Sequence, residues 1–148
     1  MNNAQAITAG FDIGNLDTTD VEQVTFKVAV IEDLDGEPVC GFVIVGKNSP
    51  EFQHANNAVR IDNIKRASKR SKQIDTSTEE GATAISKTVA SNEKVVTLAV
   101  VVDWFGFLLE GQPMTFDKAI VEKLFAKYPQ WQVKVQAALD ADANFMKV

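Results

Sequence analysis

The chain has 148 residues, 45% of them hydrophobic, and a formal net charge of -5. That length suits one compact domain or two very small ones, and the apolar content can build a core without disulfides or metal. The acidic balance argues against a general nucleic-acid binder. The one cysteine, Cys40, excludes an intrachain disulfide and fits a reducing cytoplasm.

Residues 1–20 are small and polar and read as a flexible arm, with Phe11, Ile13 and Leu16 available to pin it to the body. They carry no basic residue and no long apolar stretch, so a signal peptide is not expected. Residues 21–148 read as a single small α+β domain. Val24, Phe26, Val28 and Val30 alternate with polar or small residues, the period of two of a half-buried strand. Asp33, Asp35 and Gly36 supply turn chemistry, and Val39 to Val45 returns, which predicts a β-hairpin over 23–46. Cys40, inside that apolar run, reads as a small buried hydrophobe.

Ser49, Pro50 and Glu51 are an N-cap, a first-turn proline and a dipole-matched acid, so a helix is predicted over 50–72. Its apolar side chains are sparse: Phe52, Val59, Ile61 and Ile64. Its second half holds Arg60, Lys65, Arg66, Lys69, Arg70 and Lys72 against Asp62 alone. That segment is +5, which leaves -10 on the rest of the chain. A solvated helix face and an electrostatic docking strip for an acidic partner are about equally good readings of such a run. Interleaved aromatics are missing between Arg60 and Lys72, so stacking on single-stranded nucleic acid is not supported.

Residues 73–78 are a polar break. Ser77 and Glu80 match a capping box, predicting a helix that starts near Thr78 and runs through Ile85, Val89, Val96 and Ala99 towards Trp104. The β-branched run 95–102 reads equally as a strand. Val95 to Leu109 is too short and carries Asp103, so it is core and not a membrane span. Residues 105–115 read as an apolar loop closing the core; any exposed part, with Trp104, Phe107, Leu108 and Pro113 as its candidate residues, would be a partner-binding patch. Thr115 is the expected cap of a helix over 116–127, Pro129 its breaker, and a last helix starts at Gln130. The whole reads as an N-terminal hairpin followed by about four helices, with the basic helix the least buried.

No catalytic constellation emerges. His54 is the one histidine and sits on the basic helix, and with one His and one Cys the usual zinc ligand sets are missing. The acidic turn 32–37 lacks an oxygen ligand at Ile31 for a calcium loop. Gly-rich phosphate cradles and the Gly-x-Ser-x-Gly elbow do not occur. No cofactor and no small-molecule substrate are therefore expected.

The order of several short motifs resembles the tail assembly chaperones of long-tailed, siphovirus-like bacteriophages. In the second half these are Trp104-Phe105-Gly106, Gly111-Gln112-Pro113, Phe116, Tyr128-Pro129 and Asn144-Phe145. In the first half they are Leu16-Asp17-Thr18, Gly36-Glu37-Pro38 and Gly46-Lys47-Asn48-Ser49 leading into the basic helix. Asp103 stands where that pattern has a small or Gly-like residue. The resemblance implies a non-enzymatic late protein of the host cell cytoplasm. It would bind the tape measure protein and recruit the major tail tube protein, with self-association left open. The alternative is a structural virion component, a tail or head accessory or decoration protein. In either case the expected contacts are the basic residues and the apolar loop named above.

Overall fold

A computed structural model describes residues 24–69 and 74–146, in an α+β arrangement. The arm at 1–20, and Arg70 and Lys72, lie outside the described residues. Strand β1 (Thr25–Glu32) pairs antiparallel with β2 (Pro38–Val45), with Phe26 opposite Ile44 and Val28 opposite Phe42. The turn is held by the Asp33 carboxylate, whose Oδ1 accepts the N–H groups of Asp35 and Glu37, both at 2.9 Å. Gly36 takes the positive φ of 82° that this turn requires. Val30 is an extra residue between the pairs Ala29–Gly41 and Ile31–Cys40, a bulge in an edge strand.

Helix α1 spans Pro50–Ala67. Ser49 caps it, accepting the Phe52 N–H at 3.2 Å while its own hydroxyl donates to the Gly46 carbonyl at 2.6 Å. The helix ends at Ala67, short of the expected bound at 72; past it the Lys69 N–H reaches the Arg66 carbonyl at 3.3 Å, a tightened last turn, and the Ser68 hydroxyl donates to the Lys65 carbonyl. Helix α2 (Glu79–Val100) starts one residue later than the Ser77–Glu80 box requires. Thr78 caps it by accepting the Gly81 N–H at 2.9 Å, while Ser77 donates its hydroxyl to Asp75. That hydrogen bond holds the Asp75 carboxyl below the usual aspartate range.

The apolar run beginning at Val95 resolves into both of its readings. Helix continues to Val100 and strand β3 (Val101–Phe105) follows at the next residue. Val100 and Val101 are both fully buried. β3 pairs antiparallel with β2, so the sheet has three strands in the order β1-β2-β3, one more than the expected hairpin. The expected loop 105–115 contains a two-stranded ribbon, β4 (Leu108–Leu109) and β5 (Gln112–Pro113).

Helix α3 (Lys118–Lys127) is capped by Asp117, which accepts the Ala119 N–H at 2.9 Å, and not by Thr115. Phe116 stays outside the helix because its ring packs on Trp104. Pro129 both ends α3 and opens α4 (Pro129–Asp140), where its missing N–H costs nothing. A short 3-10 turn, Asp142–Phe145, follows, and Phe145 packs on Phe26.

Phe42 stands at the centre of the core, fully buried beside Ile44, Val121, Phe125, Val135 and Leu139. Its ring meets Phe125 edge-on at 5.2 Å and lies 5.4 Å from Phe107 and 6.3 Å from Trp131. Buried Thr97 shares its hydroxyl between the Glu93 carbonyl (2.6 Å) and the Gln136 side chain (2.8 Å), tying α2 to α4. Burial raises the Cys40 thiol above its ordinary value, so it packs here as a small protonated side chain.

Lys47 joins the start of the α1 cap to α4 through Asp140 at 3.1 Å, and this contact holds the Asp140 carboxyl below its usual range. A depressed carboxyl stabilises the fold above the unfolded value of about 3.9, and the contribution is lost as pH falls through the folded value. Asp140→Asn will therefore narrow the difference in unfolding midpoint between neutral pH and pH below about 4. Both partners are well exposed, so the change will stay under about 1 kcal/mol. Urea titrations at the two pH values measure it, and an unchanged acid limb would show that Lys47 does not stabilise the folded form.

Candidate partner-binding surfaces

Two surfaces collect the residues singled out by sequence. The first is the arm made by α1 and α2. α1 packs chiefly on α2 and buries Ala55 alone, so it is the least buried of the four α-helices. Arg60, Lys65 and Lys69 are exposed and Arg66 is half-buried. Arg66 differs because it lies on the inner edge of the pair. Its Nη1 donates to Thr88 Oγ1 of α2 at 3.1 Å, and its Nη2 pairs with Asp62 at 3.2 Å. The guanidinium thus spends its fork on the arm itself and sets the register of the two helices.

Between the helices runs an open groove of about 410 Å³. α1 lines it with Ala58, Val59, Asp62 and Arg66, and α2 with Lys87, Thr88, Ser91, Asn92 and Val95. The α2 half of this surface is missing from the sequence reading. Its signal is there, because Thr88, Ser91, Asn92 and Val95 recur at helical spacing, but the residues are mostly polar and the pattern looks like ordinary solvated helix. His54 is exposed on α1.

The second surface is the β4–β5 ribbon. Leu108 and Leu109 are adjacent in a strand and so face opposite ways, and both are open to solvent at 60% and 61%. Pro113 is also exposed. Glu110 and Gly111 close the ribbon with φ of 52° and 80°, the positive-φ pair of a tight two-residue hairpin. Glu110 is the one non-glycine residue with positive φ among the described residues.

Trp104 and Phe107 support the ribbon from beneath. The buried Trp104 indole donates its Nε1–H to the Met114 carbonyl at 2.9 Å, and its ring lies 5.2 Å from Phe107 and 5.4 Å from Phe116. Half-buried Phe107 reaches Phe42 and Trp131. Gly106, with φ of 73°, makes the corner from β3, and a Cβ there would stand 2.0 Å from the Val39 carbonyl oxygen. A shallow groove beside the ribbon is lined by Leu109, Pro113, Met114 and Phe116.

Among the described residues, no helix is long and apolar enough to cross a membrane. Compared with protein-family models, curated proteins and solved structures, the chain finds no match.

Proposed function

We propose that this protein is a tail assembly chaperone of a long-tailed bacteriophage, a non-catalytic helper in the host cytoplasm that holds the tape measure protein and recruits tail tube subunits. The observation that carries the reading is the ribbon. The motif residues Trp104, Gly106, Pro113 and Phe116 build a corner and a platform whose product is two leucines displayed to solvent. Exposed leucines on both faces of a ribbon suit transient capture of apolar segments. The cationic arm suits steering of an acidic client.

The test is co-expression of tape measure fragments from the same phage with and without this chain. The reading requires the fragments to stay in the soluble fraction only when the chain is present. It also requires mass spectrometry of finished particles to find the chain absent; stoichiometric presence would favour a structural virion component instead. Leu108→Ser with Leu109→Ser will leave the thermal midpoint within a few degrees, because neither side chain is in the core. The same pair will raise the dissociation rate of a tape measure fragment by about tenfold or more, mostly without changing association. Surface plasmon resonance separates the two rates, and an unchanged dissociation rate would remove the ribbon from the reading.

A further inference from the structure

We propose that the groove between α1 and α2 is a docking site for an acidic amphipathic helix of a partner protein. Identifying that partner with the tape measure protein rests on the chaperone reading; the chemistry of the groove does not.

Two antiparallel helices leave between them a trough in which a third helix packs with its axis about 8–10 Å from each. Here the trough is lined by the short side chains Ala58, Thr88 and Ser91, with Val59 on α1 and Val95, 47% exposed, on α2. Ala58, Val59 and Val95 offer contacts to the apolar stripe of an incoming helix, and Thr88, Ser91 and Asn92 meet its polar flank.

Charge selects the kind of helix. The carboxylate of Asp62 is already neutralised by Arg66. Lys87 lines the trough from α2, and Lys65 follows Ala58 at seven residues, on the same side of α1. Among the described residues neither lysine makes an ion pair. The trough is thus flanked on both walls by uncommitted ammonium groups, which an acidic helix would meet with carboxylates beside its apolar stripe. A nucleic acid fits less well. The lining of the trough holds no aromatic side chain on which a base could stack, and two lysines are few for a phosphate backbone.

The probe is a synthetic three-heptad helical peptide with Ala and Leu at positions a and d and Glu at e and g. The same peptide with Lys in place of Glu, and a short DNA duplex, are the controls. Isotope-labelled full-length protein is titrated and read by amide chemical shifts. We expect the acidic peptide to shift Ala58, Ser91 and Val95, and the basic peptide to leave them in place. Ser91→Trp fills the trough from an exposed position, and the double reversal Lys65→Glu with Lys87→Glu removes the flanking charge. Each should weaken the acidic peptide by about tenfold or more while leaving the thermal midpoint near that of the parent.

Equal binding of both peptides, shifts confined to the ribbon, displacement by the duplex, or affinity unchanged in both variants would overturn the proposal. So would a concentration-dependent dimer that Ser91→Trp dissolves, since the occupant would then be a second copy. Tape measure fragments that bind parent and Ser91→Trp alike would end the groove proposal and leave the chaperone reading standing. Peptide binding at the groove with no tape measure binding would do the reverse.

Discussion

Gly106→Ala will lower the stability of the fold by about 3 kcal/mol or more, while Gly111→Ala, five residues away, will cost only about 1 kcal/mol. Both glycines have positive φ, 73° and 80°, so both substitutions carry the steric penalty of a Cβ in the left-handed region, about 1–2 kcal/mol. The difference lies in the surroundings. A Cβ on Gly111 meets nothing within 4 Å, whereas one on Gly106 stands 2.0 Å from the Val39 carbonyl oxygen and 2.9 Å from the Cys40 Cα. Those are backbone atoms of β2, so the corner must move away from the sheet, and the Trp104–Met114 hydrogen bond moves with it. For a chain of this size about 3 kcal/mol corresponds to a fall in midpoint of roughly 10 °C, easily read by circular dichroism. Equal losses for the two variants would mean that the corner yields without disturbing β2.

Phe42→Ala will cost about 3–5 kcal/mol, a large part of the 5–15 kcal/mol by which a domain of this kind is held together. Phe42 is fully buried in the central strand and touches the rings of Phe107, Phe125 and Trp131, which come from the ribbon corner, α3 and α4. Truncation leaves a cavity bounded by three separate elements, and none of them can fill it without giving up its own contacts. Urea unfolding will show a lower midpoint, and the ribbon will lose protection from hydrogen exchange first, because Phe107 and Trp104 rest on this ring system. A loss below about 1 kcal/mol would show that the three elements around Phe42 collapse freely into the space it leaves.

Much of this architecture is legible from sequence, where local signals agree with one another. The alternation Val24, Phe26, Val28, Val30 and the Asp33–Gly36 turn describe the hairpin, and Ser49-Pro50 places the start of α1. The third strand is not legible. Val95 to Val102 is apolar at nearly every position, so periodicity cannot choose between helix and strand, and the chain uses both. The capping errors at Ser77 and Thr115 have a common cause: Thr78 and Asp117 are equally good acceptors one or two residues on, and packing decides between neighbours. Of the candidate surfaces, the cations of α1 are plain from composition. The ribbon hides in strands of two residues each, and the groove depends on bringing Ala58 beside Val95, which no local pattern encodes.

The passage from α2 into β3 without an intervening loop has a consequence for how the chain folds. β2 ends at Val45 and its partner strand begins at Val101, so the central pairing of the sheet is a non-local contact spanned by the whole arm. Closing so long a span as free chain is entropically costly and slow, but a formed helical pair brings its two ends together in advance. Because Val100 hands over directly to Val101, the end of α2 delivers β3 to the edge of β2 with no slack to search. The arm is therefore the jig on which the sheet is completed. Until it forms, the apolar edge of β2 stands unpaired, and collisions between nascent chains compete with native closure.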